Sequence, residues 1–385
     1  MSKTDAIELT RTLIQFQSAN PPGNETACAS HVAELLRAGG FATEIHRFGA
    51  DRVNVVARRG DISRGSPICL TGHLDTVPIG AASWSVDPFG AEIVNDKLYG
   101  RGSSDMKSGV AAMVTAALSV GDLLDDGPGL LLILTGGEET GCEGAAHLAS
   151  LNGFLGEAGA IVVGEPTGNQ PRIGHKGALW LLAACHGRAA HGAAPDLGVN
   201  AIYRGADVVR KLQKLEFNGS EHAGLGAPTL NVSRMNGGTS INTVPDLVEI
   251  SVDIRTVPGM EHSILMEELN RHLAPDIDEL SILLDLESVW TSPHDPWVSD
   301  TREWIAPNDP HSASCGVPFF TDASVLCPLL GNPPALILGP GETHMAHQTD
   351  EYCFVHRIPE AVSIYRRLIL DWQTRVAPAN TTASV

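Results

Sequence analysis

Five short stretches of the chain carry side chains able to hold a cation: His73 with Asp75, then Asp105, the adjacent pair Glu138 and Glu139, Glu165, and finally His347. Imidazole and carboxylate with no thiolate among them suit Zn²⁺ and also accept Co²⁺ or Mn²⁺. A metal-bound imidazole needs a partner on its other nitrogen, and Asp75, two residues past His73, is near enough to help orient it. Carboxylates gathered within a few ångströms without a cation would resist full ionisation. Two ions sharing one carboxylate are therefore a sensible arrangement, since such a pair generates hydroxide and polarises a carbonyl. A single-metal site and a Ser/His/Asp hydrolase are the rivals. Neither a Gly-x-Ser-x-Gly elbow nor a His-Glu-x-x-His run occurs in the chain, which weakens both.

Each of these residues has a plainer reading alone: a polar loop for His73, a helix-start charge for Asp105, surface filler for Glu138 and Glu139. What sets them apart is what precedes them. Apolar runs at 68–70, 129–135, 160–163 and 335–338 each empty into a loop that carries one of the histidines or glutamates. Read as short buried strands, these runs deliver their loops to the carboxyl ends of an open α/β sheet, where such folds bind ligands. Asp105 lies instead in the glycine-rich segment 100–109, which opens a small-residue helix running to about Leu124. That segment is not a phosphate loop. Counted back from Lys107 and Ser108, the required glycines fall at Arg101 and Met106.

The remaining elements follow from period and punctuation. A helix is expected over 4–17 with Thr4 as N-cap, a second over 25–37, and β-rich runs over 41–48 and 53–58. Between 178 and 290 the rhythm changes to strand 178–185, helix 200–215, strands 229–235 and 247–254, helix 261–273 and strand 280–290. That β-α-β-β-α-β order is the ferredoxin-like arrangement. The expected organisation is a catalytic α/β domain over 1–177 and 291–385, with a mostly parallel central sheet, interrupted by an inserted α+β domain over 178–290. The tail from Ala377 is small and polar and is expected to lack structure.

A length of 385 residues favours two domains. Lys and Arg number 26 against 45 Asp and Glu, a net charge of −19, which argues against nucleic acid or an anionic membrane as partner. No apolar run approaches the roughly 20 residues of a membrane span, and the N-terminus lacks a signal-sequence pattern. The 7 cysteines are scattered without a CxxC pair, so the expectation is a reducing cytoplasm.

Taken together, the segments Gly72–Pro78, Gly100–Gly109, Glu138–Gly141, Gly164–Thr167 and Ala346–Glu351 resemble those of the zinc aminoacylase/carboxypeptidase family, in order and over nearly the whole chain. Its members include acetylornithine deacetylase, succinyl-diaminopimelate desuccinylase and glutamate carboxypeptidase. The resemblance implies two Zn²⁺ per subunit, one held by His73 and Glu165, the other by Glu139 and His347, with Asp105 bridging. It implies Asp75 as support for His73 and Glu138 as general base. It also implies that the inserted domain serves as lid and dimerisation surface, and that His191 reaches into the partner subunit's site to stabilise an oxyanion. Asn242 and Arg255 would clamp a substrate carboxylate, with Lys176 at the hinge also facing substrate. Residues 321–323 resemble a family loop that continues with arginine; Ser324 takes that place here, which puts the arginine's acyl-end contact in doubt.

The expected function is a homodimeric amidohydrolase that removes an N-acyl group from an amino acid. A dipeptidase or carboxypeptidase of the same chemistry is the first alternative. A silent metal-binding protein is the second, disfavoured because a binder needs no base beside its metals. A nucleotide-binding α/β protein is the third, and the failed phosphate loop counts against it.

Overall fold

The computed structural model describes residues 4–217, 221–307 and 315–375, so the expected unstructured tail lies outside the described residues. The chain divides into two units. One comprises residues up to Ile173, the stretch beginning at Thr291, and Thr321 onward; the other is Gly174–Trp290 with a short segment ending at Phe320.

The first unit is built on a six-stranded sheet. In spatial order its strands are Ala42–Arg47, Val53–Arg59, Leu130–Thr135, Ile68–His73, Ala160–Val163 and Ala335–Ile337. The first two pair antiparallel, Val53–Arg59 runs antiparallel to Leu130–Thr135, and the last four are parallel. Ile68–His73 and Leu130–Thr135 are buried at every position. Strands covered on both faces need apolar residues throughout, which is why they read as unbroken runs instead of alternating ones. Parallel pairing also brings the carboxyl ends of four strands, and the loops after them, to the same edge of the sheet.

The helix Ser108–Val120 is buried everywhere except Leu118 and Ser119. With its flanking turns, the stretch Ser103–Leu124 is long and apolar enough to cross a membrane, although Asp105, Lys107 and Asp122 interrupt it as an apolar run. Its most apolar window is 72% buried inside the fold, so its composition is that of a core helix. The N-terminal helix Ala6–Gln15 is capped by Asp5, not by Thr4: the Asp5 carboxylate accepts from the N–H of Ile7 and Glu8. A charged acceptor at the true N-cap outcompetes a hydroxyl one residue too early.

In the second unit four antiparallel strands take the order Thr229–Gly237, Leu247–Thr256, Gly177–His186, Glu279–Leu286. The helices Ala201–Gln213 and His262–Leu273 pack on them through a core that includes Leu179, Leu181, Val208, Ile250, Ile254 and Leu269. The last strand ends at Leu286, not at Trp290 as the sequence suggests. Val289–Trp290 pairs separately with Gly174–His175. The ladder breaks opposite Lys176, whose N–H donates to Val317 O instead, and opposite Gly177, where a Cβ would sit 2.6 Å from Leu286 O.

Candidate metal centre

His73 is the last residue of its strand, Glu138 and Glu139 follow Leu130–Thr135, Glu165 follows Ala160–Val163, and His347 lies in the loop after Ala335–Ile337. Asp105 comes from the turn before the core helix, where φ −119° and ψ 94° depart from helical values. The first unit brings these ligand candidates into two trios that share one residue: His73, Asp105 and Glu165, and Asp105, Glu139 and His347. Within each trio the candidate ligand atoms all lie within 4.8 Å of one another.

The two oxygens of Asp105 face different histidines. Oδ1 is 3.0 Å from His73 Nε2, and Oδ2 is 3.5 Å from His347 Nε2. Glu165 Oε1 lies 3.6 Å from His73 Nε2, and Glu139 Oε2 lies 3.0 Å from His347 Nε2. Ligands at 2.0–2.1 Å from a tetrahedral Zn²⁺ are roughly 3.3 Å apart. The observed separations bracket that value, so the residues fit a pair of cations joined through Asp105. Among the described residues, Glu138 belongs to neither trio although it is 6% exposed.

Electrostatics agree with the geometry. Burial pushes the proton affinity of Glu138 well above the usual carboxylate range against the pull of His73, and the Glu165, Glu139 and Asp322 charges add to it. Glu165 is raised by burial and by Asp105, and Glu139 by the same two causes. Burial also opposes ionisation of Asp105, but its bonds to His347 and His73 win and hold its pKa below the ordinary range. The bonds to Asp105 and Glu139 raise His347 to about 10 despite its partial burial. Buried like charges this close need a compensating cation.

Asp75 meets His73 through its main chain. His73 Nδ1 sits 2.9 Å from the Asp75 backbone carbonyl and 3.6 Å from its carboxylate. That carboxylate instead accepts from the N–H groups of Glu138 (3.2 Å) and Glu139 (3.3 Å) and from Asn20 Nδ2 (2.9 Å). Asn20 also donates to Thr140 Oγ1 at 2.8 Å. Asn20 precedes Pro21 and Pro22, and nothing in that local sequence marks it for this role. Asp322 takes the Thr135 hydroxyl at the end of the central strand; burial raises Asp322 to about 6. Asp322 was visible only through the Thr321–Ala323 resemblance. Glu351 closes the segment Ala346–Glu351, and its role is visible only in the fold. It accepts from Arg101 Nη1 (2.6 Å) and from the N–H groups of Gly102 (2.9 Å), Ser104 (2.8 Å) and Asp105 (3.0 Å). Burial raises it to about 7 against the pull of Arg101 and those backbone donors. The backbone donors that an anion-binding loop would offer to phosphate are thus filled by the protein's own carboxylate.

The other four candidates lie in the second unit. His191 is exposed; its Nδ1 accepts from Ala193 N at 3.0 Å, and it bridges across to Thr243. The neighbouring Gly192 N–H donates to the carbonyl of Asn242, whose exposed side chain accepts from Ser240 Oγ at 3.1 Å. Arg255 directs its fork at Asp253 (3.2 and 3.1 Å) and lies over the Phe320 ring at 5.5 Å. A substrate carboxylate would have to compete with Asp253. Lys176 donates to Ala227 O at 2.5 Å, and burial followed by the Arg255 charge lowers its proton affinity.

The sequence pattern of peptidase family M20/M25/M40 matches residues 69–371. The chain belongs to this family. As an M20/M25/M40 protein it is a metal-dependent hydrolase of amide bonds. A probable succinyl-diaminopimelate desuccinylase of Staphylococcus epidermidis is 31% identical over 414 residues, which cover 95% of this chain and 97% of that relative. An acetylornithine deacetylase of Vibrio cholerae is 31% identical over 359 residues, covering 90% and 91%. These relatives carry the names expected of the zinc aminoacylase/carboxypeptidase family. In fold the chain is similar to an M20 family metallo-carboxypeptidase of Sulfolobus solfataricus, with a TM-score of 0.79 at 18% identity over 96% of this chain and 99% of that one. A dinuclear metal-binding M20 peptidase of Bacillus subtilis gives a TM-score of 0.68 at 15% identity over 96% and 98%.

Proposed function

We propose that this M20/M25/M40 protein hydrolyses the amide bond of an N-acyl-amino acid, releasing the free amine, at a centre holding two Zn²⁺. The observation that carries this reading is the Asp105 carboxylate, one oxygen turned to His73 and the other to His347. His73 and Glu165 would hold one ion, Glu139 and His347 the other, and Asp105 would bridge them. Bound there, the metal pair supplies a water of near-neutral pKa and a Lewis acid for the scissile carbonyl.

The remaining work falls to the chain. Glu138 takes the proton of the attacking water and returns it to the departing amine. Burial and neighbouring carboxylates raise its proton affinity, bound cations lower it, and a base works best between those extremes, near the operating pH. Its main chain is tied to Asp75, so its carboxylate approaches from a fixed direction. His191 is proposed to stabilise the oxyanion in the site of a second copy of the chain, which makes a homodimer the working form. Asn242, Arg255 and Lys176 are proposed to face the substrate, and the second unit to act as lid.

A peptidase of the same chemistry is the second reading, supported by the fold likeness to a metallo-carboxypeptidase. Zinc-loaded protein should be assayed against N-acetyl-, N-succinyl- and N-formyl-amino acids and against dipeptides. Amine release from an N-acyl substrate at least tenfold faster than from any dipeptide supports the deacylase; the reverse ranking supports the peptidase. No release from any of them would overturn both.

A further inference from the structure

The turn that presents Asp105 is closed by a single π-type bond of its own, Lys107 N–H to Gly102 O at 2.8 Å, and Asp105 and Met106 inside it depart from helical φ/ψ. Gly102 lies at φ +86°, and Asp105 itself is extended. Its N–H groups are gathered by one side chain: Glu351 Oε1 takes those of Ser104 and Asp105, and Oε2 takes that of Gly102 together with Arg101 Nη1. Glu351 is completely buried. It also belongs to the loop that carries His347. Ser104 adds two further ties to that loop, donating from Oγ to Tyr352 O at 2.6 Å and accepting from Glu342 N at 2.8 Å. Each bond from Glu351 therefore sets the Asp105 turn against the loop of the second histidine.

We propose that Glu351 is the positioning residue of the bridging carboxylate: by filling the N–H nest of residues 102–105 it fixes the main chain from which Asp105 reaches both histidines. This rests on the two-metal reading above. A carboxylate suits the nest because its two oxygens accept from every side. An amide of the same size cannot, since its NH₂ end would meet N–H groups. The distortion should fall first on the trio of Asp105, Glu139 and His347, because Glu351 shares a loop with His347 and the Asp105–His347 separation is the longer of the two.

The test compares full-length wild type with Glu351→Gln at pH 8. Both are stripped of metal, checked for fold by circular dichroism and size exclusion, and titrated with Zn²⁺ against a chromophoric chelator. Wild type should bind two equivalents tightly. The variant should fold, keep one tight equivalent and bind the second about 10–100-fold more weakly, with kcat falling and KM little changed. Two sites in the variant with affinities within about threefold of wild type would overturn the proposal while leaving the metal centre intact. A wild type that binds no zinc would instead sink the two-metal reading itself. If Glu351→Gln does not fold, Glu351→Asp, which keeps the charge but reaches fewer donors, takes its place with the same expected loss at one site. Failure of both variants to fold without metal would reduce Glu351 to a purely structural residue and overturn the proposal.

Discussion

Glu138 stands in neither ligand trio, yet its main chain and that of Glu139 share one anchor in the Asp75 carboxylate. On the proposed reading this separates two jobs that adjacent residues could otherwise blur, one glutamate turned to a cation and the other left for proton transfer. Glu138→Ala should therefore retain both metals, measured by elemental analysis of dialysed protein, while kcat falls by roughly 10²–10⁴-fold. Loss of metal along with activity would reassign Glu138 as a ligand. The residue types at the centre were legible because imidazoles and carboxylates stood after apolar runs. The anchors behind them were not. Asn20 meets Asp75, and Glu351 meets residues 101–105, across long stretches of chain. Such tertiary hydrogen bonds leave no local period to read. The spacing of Asp75 from His73 is legible in the sequence, but it does not tell that the carbonyl meets the histidine while the carboxylate accepts from the next loop.

The elements that carry the site depend on close backbone approaches at glycine. Gly164, which precedes Glu165, has its carbonyl oxygen 2.2 Å from where a Cβ on Gly109 would lie and 2.1 Å from one on Gly339. The core helix and the loop after the edge strand thus both press on the peptide that sets Glu165. Gly109→Ala should force that peptide to move, costing about 1–3 kcal/mol in urea unfolding and weakening zinc at the His73 side before the His347 side. Unchanged stability and zinc binding would show that the contact yields freely. The buried parallel strands were legible because burial on both faces leaves an apolar run with no alternation. The division of 280–290 into two strands was not, because it is decided by Lys176 and Gly177 on the partner strand and not by its own composition.

Across the whole molecule the two units answer to different conditions. In the second unit His175 is fully buried, with Nδ1 2.8 Å from Lys176 O, and burial lowers its pKa to about 4. Between pH 4 and its ordinary 6.5 the unfolded chain holds a proton there that the folded chain does not, so stability rises with pH across that window. The difference amounts to about 3 kcal/mol once the pH is below 4. Urea midpoints measured from pH 4 to 7 should rise, and His175→Gln should flatten that slope; an equal slope in the variant would place the titration elsewhere. In the first unit, the four parallel strands come from segments beginning at Ile68, Leu130, Ala160 and Ala335. A ribosome that has made the chain as far as Ala335 has already released one histidine and four acidic side chains of the centre, but not the strand or the second histidine that complete it. On the proposed two-metal reading, capture at both positions must then wait for the final segment of translation, so a chain shortened before His347 would keep most of its fold-determining sequence and lack the completed centre.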